Sequence, residues 1–179
     1  MMPVLLCGSP DETSVREALF PALSRYGGVF FVGRGCVVQS GSPAGYLLCE
    51  SSEIPDIGLP HGILVIKDKI VQTKPASVPD DFLCVMASHN KSVAKLLHGC
   101  RVTAVSCGTD PKDTLSLAGL ESGCADVSLQ RNLVTAGGNM QEPRDFHVEF
   151  SRPRSPEQIL LVSAVLLLSD IDPENGYVI

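Results

Sequence analysis

The sequence predicts an α/β protein, a three-layer sandwich with a mixed, mainly parallel sheet and an antiparallel extension. Three observations lead to this prediction. Residues 82–110, FLCVMASHNKSVAKLLHGCRVTAVSCGTD, have the pattern of a strand, a short helix and a second strand. Several short apolar runs precede them and are separated by a helical pattern or by turn residues. After Asp110 the segments alternate and are joined by short loops, which is typical of antiparallel strands.

The central unit begins with Phe82–Ala87, whose uninterrupted apolar run is typical of a strand buried on both faces. Ser88, His89 and Asn90 then break the run, and any of the three is suited to cap a helix start. The helix that follows has apolar residues at helical spacing and ends near Gly99. A crossover helix of this length predicts two parallel strands with a right-handed connection.

The second strand of the unit is predicted over 101–107, and Gly108 and Thr109 end it. Gly108 and Thr109 therefore follow a strand, as Ser88–Asn90 do. Ligands of open α/β sheets bind just beyond the carboxyl ends of the strands. These two loops are candidate binding segments on that ground.

The chain begins with a predicted strand, Pro3–Cys7, followed by Gly8. Ser9 as N-cap, Pro10 at the first helical position and Glu12 three residues after the cap form a capping-box pattern. A helix is therefore predicted to start at Ser9. Its free backbone amides could bind an anion, although Asp11 and Glu12 favour a plain cap.

Further strands are predicted over 29–32, 36–39, 45–50 and 62–66, the first two as either a hairpin or a broken strand around Gly33-Arg34-Gly35. Segment 73–81, which contains Pro75 and Pro79, is the best candidate for an internal linker. The chain is nevertheless expected to be a single α/β domain over 1–179.

After Asp110, strands are predicted over 114–120, 126–134 and 140–150. Ser155, with Gln158 three residues on, predicts the start of a last helix that extends to about Asp170. Residues 159–168 are apolar all round, so this helix should be covered on most sides. So apolar a helix also suggests more apolar surface than one core covers, and a homodimer is predicted from it.

The order of elements from Phe82 onward resembles the second half of the ATP-binding central domain of the Mur ligases. The matching segments cover a little over half of the chain: 84–90, 102–108, Ala125-Asp126-Val127, the hairpin around Gly137-Gly138 with 146–150, and 159–168. The resemblance implies a Rossmann-like fold. The family's phosphate loop, a Gly-rich turn ending in Gly-Lys-Thr/Ser, is absent from the sequence, and Gly8-Ser9-Pro10-Asp11-Glu12 follows the first strand instead. No ATP site and no other cofactor is expected.

Composition narrows the classes of function. The net charge of −6 and the scattered Lys and Arg residues argue against nucleic-acid binding. No apolar run reaches the roughly 20 residues of a membrane span, and no signal sequence is recognisable, so a cytoplasmic protein is expected. The seven cysteines are expected to be reduced. His98, Cys100 and Cys107 are not expected to bind a metal, because about seven strand residues separate the two cysteines by roughly 23 Å.

Two hypotheses of function remain open. In the first, the chain is a non-catalytic Mur-ligase-like module that binds a small molecule or a partner protein. In the second, it is an enzyme whose active site lies at the strand ends near Gly8, Ser88–Asn90 and Gly108-Thr109, where His89 is either a general base or a solvated or capping residue. Convergence of the three loops on one cleft would favour the enzyme. The candidate ligand-binding residues are Ser9, Ser88, His89, Asn90, Gly108 and Thr109. The acidic turn at Asp110 and Asp113 is expected to be solvated.

Overall fold

The structure, a computed structural model, describes residues 1–33, 35–73 and 75–179. The helices are α1 (Ser14–Gly27), α2 (Lys91–Leu96) and α3 (Pro156–Leu168). The strands of the first half are β1 (Met2–Cys7), β2 (Val29–Gly33), β3 (Cys36–Ser40), β4 (Tyr46–Ser51), β5 (Gly62–Ile66) and β6 (Phe82–Ala87). Those of the second half are β7 (Thr103–Gly108), β8 (Leu115–Glu121), β9 (Cys124–Leu129), β10 (Leu133–Val134), β11 (Met140–Gln141), β12 (Arg144–Glu149) and β13 (Tyr177–Val178).

Eleven of the described strands form one sheet in the order β13-β12-β9-β8-β7-β6-β5-β1-β4-β2-β3. The seven central strands are mutually parallel, in the sheet order β2-β4-β1-β5-β6-β7-β8. Strand β3 is antiparallel to β2 at one edge, and β8, β9 and β12 form the antiparallel extension at the other. The predicted mixed, mainly parallel sheet with an antiparallel extension is confirmed.

Helices lie on both faces of the sheet, so the predicted three-layer, Rossmann-like arrangement is also confirmed. Helices α1 and α3 pack against each other on one face of the sheet and form one apolar core with it. The second core lies on the opposite face, where Val93 and Leu97 at α2 pack beside Ile54 and Val78 from connecting segments. Strands β5 and β6 are buried throughout because both of their faces are covered.

Helix α3 begins as the sequence predicts. Ser155 Oγ accepts a hydrogen bond from the N–H of Gln158, and Gln158 Oε1 accepts one from the N–H of Ser155. The helix ends at Leu168, two residues before the predicted end. Every residue from Gln158 to Leu168 is buried within the single chain. Helix α3 therefore leaves no apolar surface for association, and the homodimer stays a prediction without this support.

The predicted start of the first helix at Ser9 is wrong, because α1 begins at Ser14. Thr13 is the N-cap residue, and its side chain makes no capping hydrogen bond. Residues 9–13 instead form a loop whose carbonyl groups bind the side chain of Lys67. A contact between residues more than 50 positions apart thus overrides a local helix-start pattern.

The hairpin of β2 and β3 agrees with the prediction, while Arg34 in its turn lies outside the described residues. The Gly137-Gly138 turn joins the two-residue strands β10 and β11, which form a small separate sheet. Segment 73–81, of which Lys74 is not described, connects β5 to β6, neighbours in the main sheet. The single domain stays a prediction. Within the described residues, no helix has both the length and the apolar character needed to span a membrane.

Candidate functional site

A cavity of about 300 Å³ opens at the carboxyl ends of β6 and β7. Helix α3 closes its other side with its first turn, including Glu157. Four of the six predicted binding residues line this cavity, namely Ser88, His89, Gly108 and Thr109. Parallel strands that are neighbours in the sheet end at the same edge, which is why residues about 20 positions apart meet here.

His89 has a carboxylate partner that no local sequence pattern indicates. Its Nε2 lies 2.8 Å from Oδ2 of Asp68, which follows the neighbouring strand β5. The His89 side chain is 68% exposed and that of Asp68 is 35% exposed, and of the two His89 lines the cavity. The only signal for Asp68 in the sequence is its position just after an apolar strand.

Asn90 and Ser9, the other two predicted binding residues, do not line the cavity. Asn90 is the N-cap of α2, where its Oδ1 accepts from the N–H of Val93, and its Nδ2 donates to the carbonyl of Asp68 at 2.8 Å. The Ser9 carbonyl accepts from Lys67. The structure therefore gives Asn90 a positioning contact with Asp68 and places Ser9 in a different cluster.

Ser88 donates a hydrogen bond to Asp113, and the prediction of a solvated turn is wrong for Asp113. Asp113 is in fact 4% exposed, because its Oδ2 accepts from Ser88 Oγ at 3.1 Å and from the N–H of Asp110 at 3.2 Å. Gly108 lies against these two side chains, and a Cβ at this position would clash with both Ser88 Oγ and the Asp113 carboxylate. Only glycine fits between the strand end and this hydrogen bond.

Glu157 places an acidic side chain in the lining of the cavity. Burial raises the pKa of its carboxyl group, the negative charges of Asp68 and Glu12 raise it further, and His89 opposes them. Close by, no described residue donates a hydrogen bond to the buried Oε2 atom of Glu12. The cavity is thus bordered by several carboxylates and favours a ligand that donates hydrogen bonds or carries positive charge.

A second polar cluster lies in the loop after β1, the position of the phosphate loop in the Mur ligases that the sequence resembles. The Nζ atom of Lys67 lies 3.2 Å from the Ser9 carbonyl oxygen, 2.6 Å from that of Glu12 and 2.7 Å from Oε1 of Glu50. Glu50 Oε2 also pairs with Arg16 at 3.2 Å. Lys67 is fully buried, and its three ammonium protons are matched by three oxygen acceptors.

Several solved ligase structures have a similar fold. A UDP-N-acetylmuramoyl-L-alanyl-D-glutamate–2,6-diaminopimelate ligase aligns with 98% of the chain at a TM-score of 0.58 and 10% identity. The UDP-N-acetylmuramate:L-alanyl-gamma-D-glutamyl-meso-diaminopimelate ligase from Neisseria meningitides aligns with 97% of it at a TM-score of 0.61 and 14% identity. The fold is that of the Mur ligases. The resemblance predicted from the sequence is confirmed at the level of the fold.

The MurF ligase from Thermotoga maritima, solved in complex with ADP, also has this fold, with a TM-score of 0.53 and 13% identity over 98% of the chain. The Mur-ligase-like chain spans 45%, 63% and 48% of the lengths of these three structures. No family model matches the sequence, and no curated protein matches it.

Proposed function

We propose that the chain is a Mur-ligase-like α/β module without an ATP site, which binds a small ligand in the cavity between β6, β7 and α3. The observation that carries the first part is the position of Lys67. A phosphate loop binds a triphosphate by turning backbone N–H groups and a lysine toward it. Here the loop after β1 turns two carbonyl oxygens inward instead, and they bind a buried ammonium group.

Lys67 itself is not available to a phosphate. Its three donors are used by Ser9, Glu12 and Glu50, and its side chain has no contact with solvent. Freeing one donor would leave a buried acceptor unpaired, which costs about 1–3 kcal/mol. The loop also carries Asp11 and Glu12, whose charges repel a nucleotide. These properties support the absence of ATP binding.

The cavity supports a cationic or hydrogen-bond-donating ligand. Glu157 lines it, Asp68 borders it through His89, and the Ser88 hydroxyl group already donates to Asp113. The ammonium form of a small amine would be attracted to this group of carboxylates, whereas a carboxylate anion would be repelled. The volume is at the lower limit of about 300 Å³ for typical ligand sites, which favours a small molecule.

The contact between His89 and Asp68 favours a second candidate function, an enzyme. A carboxylate that binds one ring nitrogen orients the imidazole, as in the histidine–carboxylate pairs of general bases. His89 also lines the cavity, which supports a contact between its imidazole and a bound molecule. The third predicted loop, at Gly8 and Ser9, does not join this cavity.

Two titrations test the proposed module. Calorimetry with Mg-ATP should show no binding below millimolar concentration, while the Thermotoga maritima MurF ligase run in parallel should bind nucleotide. Calorimetry with cadaverine, a five-carbon diamine, should show binding that glutarate, the dicarboxylate of equal length, does not. Glu157→Gln should weaken cadaverine binding, whereas Glu142→Gln, at an exposed position outside the cavity, should not. Micromolar affinity for Mg-ATP would contradict the proposed absence of an ATP site. Preference for glutarate would contradict the proposed binding of a cationic ligand.

The enzyme candidate is tested on whichever amine binds. NMR spectra of that amine, recorded during incubation with the protein, either show conversion or recover the compound unchanged. Conversion that His89→Gln abolishes while binding persists would establish the enzyme. Unchanged compound after prolonged incubation supports the non-catalytic module.

A further inference from the structure

A larger groove lies away from the strand-end cavity, across the outer surface of α1. Its volume is about 610 Å³, within the range of roughly 300–1,000 Å³ that small-molecule sites occupy. Its apolar part is formed by Phe20 of α1, Phe31 of β2 and Val38 of the edge strand β3. The rings of Phe20 and Phe31 pack edge to face with centroids 6.1 Å apart, so this part of the groove is built by fixed aromatic side chains.

The opposite wall of the groove is basic. Arg152 and Arg154 flank Pro153 in the segment between β12 and α3, and both line the groove. No described residue forms an ion pair or a hydrogen bond with the guanidinium group of Arg152. Arg154 donates to the Glu17 carbonyl at 3.4 Å, but its buried Nε atom has no partner among the described residues.

The third arginine of the groove, Arg16, has a different role. Its Nη1 atom lies 3.2 Å from Oε2 of the buried Glu50, and its guanidinium carbon is 5.8 Å from the centroid of the Phe31 ring. Arg16 is therefore committed to the core and helps to hold the aromatic floor. Arg152 and Arg154 remain for a ligand, in a chain whose net charge is −6.

We propose that this groove binds an organic anion that has an apolar aryl or acyl body and a carboxylate or phosphate group at one end. The body lies against Phe20 and Val38, which are open to water in part or in large measure; Val38 is 44% exposed, and the buried Phe31 ring supports the floor beneath them. The anionic group accepts hydrogen bonds from Arg152 and Arg154, because guanidinium groups match carboxylates and phosphates in geometry and charge.

A neighbouring cavity extends the basic wall. It has a volume of about 360 Å³, shares Arg152 and Arg154 with the groove, and adds Arg25 from the last turn of α1. Among the described residues that line the groove, Glu17 is the acidic one, and its Oε1 already accepts a hydrogen bond from Thr13 at 2.7 Å. The excess of arginine over acidic side chains therefore continues beyond the groove and favours anions over cations at this surface.

Three probes with one aromatic body test the proposal on the full chain. Calorimetry with 2-naphthoate, 2-naphthyl phosphate and the neutral 2-naphthol should show saturable binding of at least one anion, about tenfold or more tighter than that of the alcohol. The two anions distinguish a carboxylate from a phosphate site. Equal affinities for all three, or no binding of either anion below millimolar concentration, would overturn the proposal.

Variants locate the site. Arg152→Gln combined with Arg154→Gln should weaken anion binding about tenfold or more, whereas Arg101→Gln, an exposed arginine elsewhere, should leave it unchanged. Arg152→Gln alone serves if the double variant fails to fold. Unchanged affinity in the arginine variants, an equal loss in Arg101→Gln, or tight binding of a hexaglutamate peptide in place of the naphthyl anions would contradict the assignment. Cadaverine binding at the Glu157 cavity should not change in these variants, so this test is independent of the proposed function.

Discussion

The Nζ atom of Lys67 lies 2.7 Å from Oε1 of Glu50, and the two side chains are 0% and 2% exposed. An ion pair this deeply buried depends on both of its members, since loss of one leaves an uncompensated charge without water. The pair also joins the end of β5 to β4 across β1, and Lys67 fixes the loop after β1 through the Ser9 and Glu12 carbonyls.

Glu50→Gln should therefore lower the free energy of unfolding by about 3–5 kcal/mol, the range for breaking a buried ion pair. Urea denaturation at pH 7 measures it. Arg144→Gln is the matched control, because the Arg144–Asp172 pair is 3.7 Å apart and exposed on both sides, and it should cost less than about 1 kcal/mol. Equal small effects for Glu50→Gln and Arg144→Gln would contradict the prediction.

Glu157→Gln should change how stability depends on pH. Below the ordinary pKa of 4.5, Glu157 is protonated in both the folded and the unfolded chain. As the pH rises above 4.5, the unfolded chain loses this proton first, because burial raises the pKa in the folded protein. The folded wild type thus loses stability until the pH exceeds the raised pKa, and the loss then remains constant.

The measurement for Glu157→Gln is urea denaturation in steps from pH 4 to pH 8. The difference in free energy of unfolding between variant and wild type should increase in favour of the variant above pH 4.5 and then level off. Glu142→Gln, at an exposed position, should give a flat difference. A flat difference for Glu157→Gln as well would show that the folded protein does not disfavour its charge.

Ser155→Ala should destabilise the protein by about 0.5–2 kcal/mol, because it removes the side-chain acceptor of the α3 N-cap. Gln158 also donates from Nε2 to the carbonyl of Ser14, so the same capping box fixes the start of α3 to the start of α1. Ser155→Thr retains a hydroxyl group and is the control. Thermal unfolding followed by circular dichroism compares the two. A melting temperature of Ser155→Ala no lower than that of Ser155→Thr would exclude the cap as a source of stability.

The seven cysteines should react with a thiol reagent in a definite order. Cys36 in the edge strand is exposed, whereas Cys7, Cys84 and Cys107 are buried. Burial raises the pKa of Cys7 and of Cys84 to about 12, and it raises that of Cys107 as well, so none of the three forms a thiolate at neutral pH. Mass spectrometry after brief labelling at pH 7.5 should find Cys36 modified first. Early labelling of the three buried residues, or a disulfide in the unreduced protein, would contradict it.

Elements defined by local patterns could be predicted from the sequence. Strand β6 coincides with its apolar run, and the α3 start coincides with its capping box, because the determinants of each lie within a few residues. The start of α1 could not be predicted, since Ser9-Pro10-Asp11-Glu12 satisfies every local rule and loses to a bond with Lys67. Helix boundaries that depend on a distant side chain carry no local signal.

Some residues of the candidate site could likewise be predicted from the sequence, and others could not. Ser88, His89, Gly108 and Thr109 could be predicted to share a region, because neighbouring parallel strands end at one edge. Asp68 could not be assigned to His89, and Asp113 was wrongly placed in water. Both contacts depend on the strand order. Asp68 and His89 meet because β5 is the neighbour of β6, and Asp113 reaches Ser88 because β7 lies between β6 and β8. Ser9 follows a strand too, but its loop folds over Lys67 rather than toward the cavity.

The complete burial of α3 has a consequence for synthesis on the ribosome. The helix covers the same face as α1 and contacts β5, β6, β7 and β8, all of which are made before it. At about 5–20 residues per second, the nascent chain exposes that apolar face for seconds until residues 156–168 have been added. The first 150 residues can therefore collapse but cannot close their core. The growing chain is most vulnerable to aggregation and proteolysis just before α3 emerges.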